Sequence, residues 1–143
     1  MRRSMLFIPG NTPNLLINGN CLGADAVIFD LEDAVSPAEK DSARILVRNT
    51  MKYLDFRGIE IIVRINSSDT DYWKKDLDEI MQYRPDLIML PKSATADDIL
   101  TVSSYMSETE KKYALADNTV KLMPLIETAM GVENAYSVAS ACE

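Results

Sequence analysis

Ala26-Val27-Ile28-Phe29-Asp30-Leu31-Glu32-Asp33-Ala34-Val35 is the stretch whose reading decides the fold. Its opening is a short apolar run, β-branched and aromatic, with Gly23 and Asp25 ahead of it. Such a run reads as a strand buried on both faces, the kind found in parallel sheets. Three carboxylates, Asp30, Glu32 and Asp33, follow within four residues just where the run stops. Crowded carboxylates repel and resist desolvation, so the chain must offer them water, a metal or a cationic partner.

Working outward, the same event recurs. Met5 to Ile8 reads as a strand stopped by Pro9-Gly10, and Thr12-Pro13 as the N-cap and first residue of a helix through Ile17. After the acids, Ser36-Pro37-Ala38-Glu39 reads as a capping box. Ala43, Leu46, Val47, Met51 and Leu54 then recur at helical spacing to about Asp55. Further strands are expected over Ile59 to Asn66, Asp86 to Leu90 and Val120 to Ile126. Helices are expected over Tyr72 to Tyr83, from Thr95 through Met106, and from about Val132 to Ala141, with Glu108 to Asn118 as a polar link. Five β-α alternations predict one α/β domain over residues 1–143, with parallel strands and right-handed crossovers.

In such a fold the carboxyl ends of all strands share one rim, where sites are built. That rim would carry Pro9-Gly10, Asp30-Glu32-Asp33, Arg64-Asn66, Pro91-Lys92 and Glu127-Thr128. The opposite rim would carry Gly23, Asp25, Gly58, Asp86 and Asn118, residues of caps and turns. Acids, an arginine, a lysine and an amide converging on one rim suit a metal ion with an anionic substrate. Each residue also has a plainer reading. Arg64 is a structural salt bridge or, by its fork geometry, a carboxylate binder. Glu127 is a structural partner or an oxygen ligand for a hard divalent cation. Glu32 and Asp33 serve the site or a helix dipole. Asp30 reads as a loop holder, and Lys92 as a solvated charge of secondary interest.

Composition narrows the function. Across 143 residues, 22 acidic side chains outnumber 15 basic ones, giving a net charge of -7 with no basic run. That surface disfavours nucleic acid and anionic membrane. The apolar run near the N-terminus is too short for a signal peptide, and no stretch reaches a transmembrane length. Cys21 and Cys142 lack metal or redox spacing and read as reduced thiols of a cytoplasmic protein. There is no histidine, so a metal held by this chain would be bound through oxygens.

Five segments in register then carry a resemblance: Arg3-Ser4-Met5-Leu6-Phe7-Ile8-Pro9-Gly10, Phe29-Asp30-Leu31-Glu32-Asp33, Val63-Arg64-Ile65-Asn66, Leu90-Pro91-Lys92 and Leu125-Ile126-Glu127-Thr128. The chain resembles the citrate lyase β subunit (citryl-acyl-carrier-protein lyase), within the aldolase group that includes malyl-CoA lyases. The resemblance implies parallel (β/α) units of a TIM barrel and magnesium-dependent cleavage of a citryl thioester to oxaloacetate and an acetyl thioester. Arg64 would bind the substrate carboxylate, and Glu127 would ligate Mg2+ and touch substrate. The base would be a carboxylate, with Glu32 or Asp33 as candidates, or a metal-bound hydroxide. The thioester would sit on acyl carrier protein or coenzyme A, and other lyase subunits would be partners in an oligomer.

A full (β/α)₈ barrel takes about 250 residues, whereas this chain shows five units of eight and no counterpart of the family's second metal ligand. The expectation is therefore the N-terminal part of a longer or multi-subunit lyase, with little activity alone. The alternatives are a truncated non-catalytic remnant that binds acyl-CoA or assembles with other subunits, and a flavodoxin-like binding domain.

Overall fold

A computed structural model describes residues 2–141. Five strands, β1 (Met5–Pro9), β2 (Ala26–Asp30), β3 (Glu60–Arg64), β4 (Leu87–Leu90) and β5 (Lys121–Pro124), pair in parallel in the order β1-β2-β3-β4-β5. Between them run α1 (Pro13–Asn18), α2 (Lys40–Tyr53), α3 (Trp73–Ile80) and α4 (Ala96–Lys112); α5 (Ala129–Glu133) and α6 (Ala135–Ala139) follow β5.

Strand register explains how the two sheet faces differ. Ala26, Ile28 and Asp30 align with Glu60, Ile62 and Arg64, and Ile62 with Leu87. These residues share one face, where Ala26, Ile28, Ile62, Leu87 and Met89 form a small apolar layer without any helix residue. The alternate residues Val27, Phe29, Val63, Ile88 and Leu90 pack instead with Leu16, Ala43, Val47, Leu77, Ile99 and Val102 from the helices. All four crossover helices thus cover one face, and strand order follows chain order without a switch point. That is the winding of a (β/α)₈ barrel, five units of it, with β1 and β5 as edges among the described residues. A flavodoxin-like order, which needs a reversal, is ruled out.

Local details depart from the sequence reading in four places. Ser36 does not cap a backbone amide: its Oγ donates to the Glu39 carboxylate at 2.8 Å, and Pro37–Glu39 forms a 3₁₀ turn before α2. Thr12 likewise caps through its carbonyl, which accepts from Leu15 and Leu16, not through its hydroxyl. Glu108 to Lys112 belong to α4 and not to a link. The last helix starts at Ala129 and breaks at Asn134. Thr95 and Asp98 do form the full capping box at the start of α4. Cys21 is an exposed free thiol, and Cys142 lies outside the described residues.

Candidate functional site

The site begins as a register effect. Asp30 and Arg64 are the last residues of β2 and β3 and lie directly opposite one another. Their side chains therefore meet on the inner face, with Nε to Oδ1 at 2.8 Å and Nη2 to Oδ2 at 2.6 Å. The inner face of β1 adds Phe7, whose ring centroid lies 4.9 Å from the guanidinium carbon, a cation–π contact. Asp30 also turns the chain, since its carboxylate accepts the amides of Glu32 at 2.9 Å and Ala34 at 3.2 Å. It is both the loop holder read from sequence and the partner of Arg64.

That turn delivers Glu32 beside two cations: Arg64 Nη1 at 3.2 Å and Lys92 Nζ at 3.0 Å. Its carboxylate oxygens are shut off from water, yet neither contact has hydrogen-bond geometry. Asp33 is exposed and stands 4.0 Å from the same two cations. Lys92 is not the solvated charge read from sequence. It adopts a left-handed backbone (φ 52°) at the end of β4, which is uncommon outside glycine and marks a constrained turn. From there its amide donates to Glu127 Oε1 at 3.0 Å while its ammonium meets Glu32. Arg64, Glu32, Lys92 and Glu127 thus form one continuous chain of contacts across β2, β3, β4 and β5.

Burial and charge act oppositely on the two inner acids. Burial, the largest influence on Asp30, pushes its pKa up, but Arg64 and the two amides outweigh it and hold the group below the usual range. Burial also dominates at Glu32, and there Lys92 and Arg64 do not overcome it, so its pKa is raised. Of these two acids, Glu32 is the one that holds a proton more readily. A close pair with Glu32 raises the Lys92 pKa, and pairing with Asp30 raises that of Arg64.

Behind the rim, two buried charges from the helices support it. Lys40, 7% exposed, donates to the carbonyls of Leu31 at 2.7 Å and Glu32 at 2.6 Å. Arg44 Nε donates to Asp76 at 2.8 Å, and Asp76 accepts the Asn66 amide and side chain at 2.9 and 2.7 Å. Neither Lys40 nor Arg44 was singled out from sequence. Their signal was a charge on the buried stripe of α2, at the spacing of Ala43 and Val47. A cavity of about 360 Å³ opens beside these groups, lined by Glu32, Asp33, Lys40, Asn66, Tyr72 and Lys92 among others.

Among the described residues no three metal-ligating side chains converge. Glu127 is exposed, and its second oxygen accepts no hydrogen bond from a described residue. Magnesium commonly takes one or two carboxylates and completes its shell with water and substrate oxygens. Glu127 therefore fits as one such ligand, whereas Asp30 and Glu32 are engaged by cations.

A one-sided β/α winding with its polar groups gathered at the carboxyl ends of the strands defines the class of this protein. Within that class the chain belongs to the HpcH/HpaI aldolase/citrate lyase family, whose pattern matches residues 3–143. It is 41% identical to the citrate lyase subunit beta of Leuconostoc mesenteroides subsp. cremoris, over 100% of this chain and 47% of that protein. The chain spans about half the length of the curated relatives it matches. The citrate lyase beta subunit of M. tuberculosis complexed with oxaloacetate and magnesium superposes with a TM-score of 0.70, at 30% identity, over 96% of this chain and 52% of that one. The protein CitE of Mycobacterium tuberculosis, in complex with magnesium, acetoacetate and coenzyme A, gives 0.71 at 29% identity, over 99% of this chain and 47% of that one.

Proposed function

We propose that this chain supplies the Arg64–Glu127 side of a magnesium-dependent carbon–carbon lyase that cleaves a citryl thioester to oxaloacetate and an acetyl thioester. The observation that carries this reading is the contact chain from Arg64 through Glu32 and Lys92 to Glu127 on one strand rim. The likeness to citrate lyase beta subunits, one of them complexed with oxaloacetate and magnesium, supports the choice of chemistry. The chain acts together with the further β/α units that its longer relatives possess. Its thioester partner is coenzyme A or a carrier protein, and other lyase subunits complete the assembly. No described helix is long and apolar enough to cross a membrane.

In the reaction, a base removes the hydroxyl proton of the citryl group and that oxygen becomes the ketone of oxaloacetate. The adjoining carbon–carbon bond breaks, its electrons form the thioester enolate, and protonation at carbon gives the acetyl thioester. Magnesium, held by Glu127, supplies Lewis-acid polarisation of substrate oxygen. Arg64 binds a substrate carboxylate through the N–H groups that Asp30 leaves free, since a guanidinium carries five donors. Glu32 is suited to take the hydroxyl proton, because burial raises its pKa and makes it a stronger base than a solvated glutamate. Lys92 stands beside it as a fixed positive charge for the enolate.

Glu127→Gln in the intact enzyme tests the reading. Loss of magnesium-dependent citryl-thioester cleavage, with weaker magnesium binding by calorimetry, is expected. Unchanged turnover with an unchanged magnesium requirement would overturn it.

A further inference from the structure

Where β2 and β3 part, two side chains from the helix layer replace one rung of the ladder. The Leu31 amide still donates to the Arg64 carbonyl at 2.9 Å. In a continuing parallel ladder the Asn66 amide would then donate to the Leu31 carbonyl. Instead the Asn66 amide donates to Asp76, and the Leu31 carbonyl accepts from Lys40. The same ammonium takes the next carbonyl, that of Glu32, which also accepts the Val35 amide.

We propose that Lys40 is a positioning residue for the acid loop: its ammonium pins the successive carbonyls of Leu31 and Glu32 and so fixes where the Glu32 carboxylate stands between Arg64 and Lys92. This rests on the lyase reading above for its kinetic consequence, though not for its structural one. Lys40 is 7% exposed and has no carboxylate within ion-pair distance among the described residues. Burying an ammonium is costly, and on the same buried stripe, where Ala43 and Val47 are apolar, the other charge, Arg44, has in Asp76 the carboxylate partner that Lys40 lacks. Helix packing alone would be served by another apolar residue. What Lys40 adds is two charge-assisted hydrogen bonds to the backbone that carries Glu32. The Glu32 oxygens, which face two cations but make no hydrogen bond, are then held in position by the backbone that carries them.

Lys40→Met keeps the stem and removes the ammonium. In the intact enzyme, kcat for citryl-thioester cleavage is expected to fall about 10- to 100-fold, as when a partner behind a site residue is lost. Magnesium affinity should not change, because the Lys92 amide anchors Glu127 from a different turn. Amide exchange at Glu32, Ala34 and Val35 should quicken about tenfold, the factor for losing one ordinary hydrogen bond. Exchange at Phe29 and Val63 should stay as it was. Lys40→Arg, which retains a cation, should recover part of both losses. Wild-type kcat and exchange in Lys40→Met would overturn the proposal. So would acceleration of every strand amide together, the mark of a general packing role. If Lys40→Met does not fold, Lys40→Gln, which loses the charge but keeps a polar side chain, decides on the same criteria: local exchange with slowed turnover supports positioning, wild-type or global behaviour overturns it. An enzyme inert on citryl thioester would sink the lyase reading, and the exchange pattern would still decide the role of Lys40.

Discussion

The two rims of this sheet carry similar numbers of charges and use them differently. At the amino ends of the strands, Arg2 pairs with Glu60 and Arg3 with Asp25, all near the surface. Asp25 also accepts the amides of Arg3 and Ser4, and Asp86 accepts that of Ile61, so these acids close turns. Gly23 (φ 74°) and Gly58 (φ 84°) complete those turns in a backbone region that glycine alone enters freely. A cavity of about 660 Å³ opens there beside Arg2, Asp25 and Glu60, but its charges already satisfy one another. At the carboxyl ends, Asp30, Glu32 and Arg64 are mostly buried, and Glu32 has two cations near it without a hydrogen bond to either. A rim that closes turns saturates its polar groups. The carboxyl-end rim leaves the Glu32 oxygens without a hydrogen bond, and charges from the helix layer stand behind it.

That contrast can be tested in order of effect. Arg64→Lys should lower kcat/KM about 100- to 1000-fold, because an ammonium cannot keep the fork to Asp30 and also donate to substrate. Unchanged turnover and affinity would remove Arg64 from the mechanism. Next, Arg44→Met leaves Asp76 buried without its cation, for a stability loss of about 3–5 kcal/mol in urea unfolding. The loss should bring kcat down with it, through the Asn66 turn that Asp76 holds.

Acid should weaken the site rim through Asp30. Its folded pKa is depressed, so the unfolded chain takes up the proton first as pH falls. The stabilisation is complete above the free carboxyl value of about 3.9 and disappears as pH drops through the lower folded value. A plot of Tm against pH should show a smaller acid loss in Asp30→Asn than in the wild type, the remainder coming from the other acids whose folded pKa is depressed, Asp25 and Asp98 among them. Arg3→Ala, at the other rim, should leave both Tm and turnover unchanged, since exposed pairs are screened by water and salt. A large effect there would break the comparison.

Much of this arrangement was legible from residue order. Buried apolar runs ending in polar residues gave five parallel strands, and parallel strands place Asp30, Arg64, Lys92 and Glu127 on one rim. The register that sets Asp30 opposite Arg64 was not legible, because pairing depends on which residues of neighbouring strands align. For the same reason Lys92 passed for a surface charge: its partner lies 60 positions earlier in the chain. Lys40 and Arg44 were hidden because the helical spacing of α2 shows through its apolar residues, and a charge at the same spacing gives no sign of being buried. The capping reading of Ser36 failed because its hydroxyl found the Glu39 carboxylate before any amide. Thr95 makes the box that Ser36 does not, because Asp98 accepts the Thr95 amide while the Thr95 hydroxyl accepts the Asp98 amide.

The Asp30–Arg64 fork also bears on ligand affinity. A free arginine side chain has about 2 kcal/mol of rotamer entropy to lose when it grips an anion. Here carboxylate and ring hold the guanidinium in one orientation before any ligand arrives. That ordering is completed during folding, so on the reading proposed above an incoming carboxylate would meet a donor already aimed and would bind with little further loss of freedom.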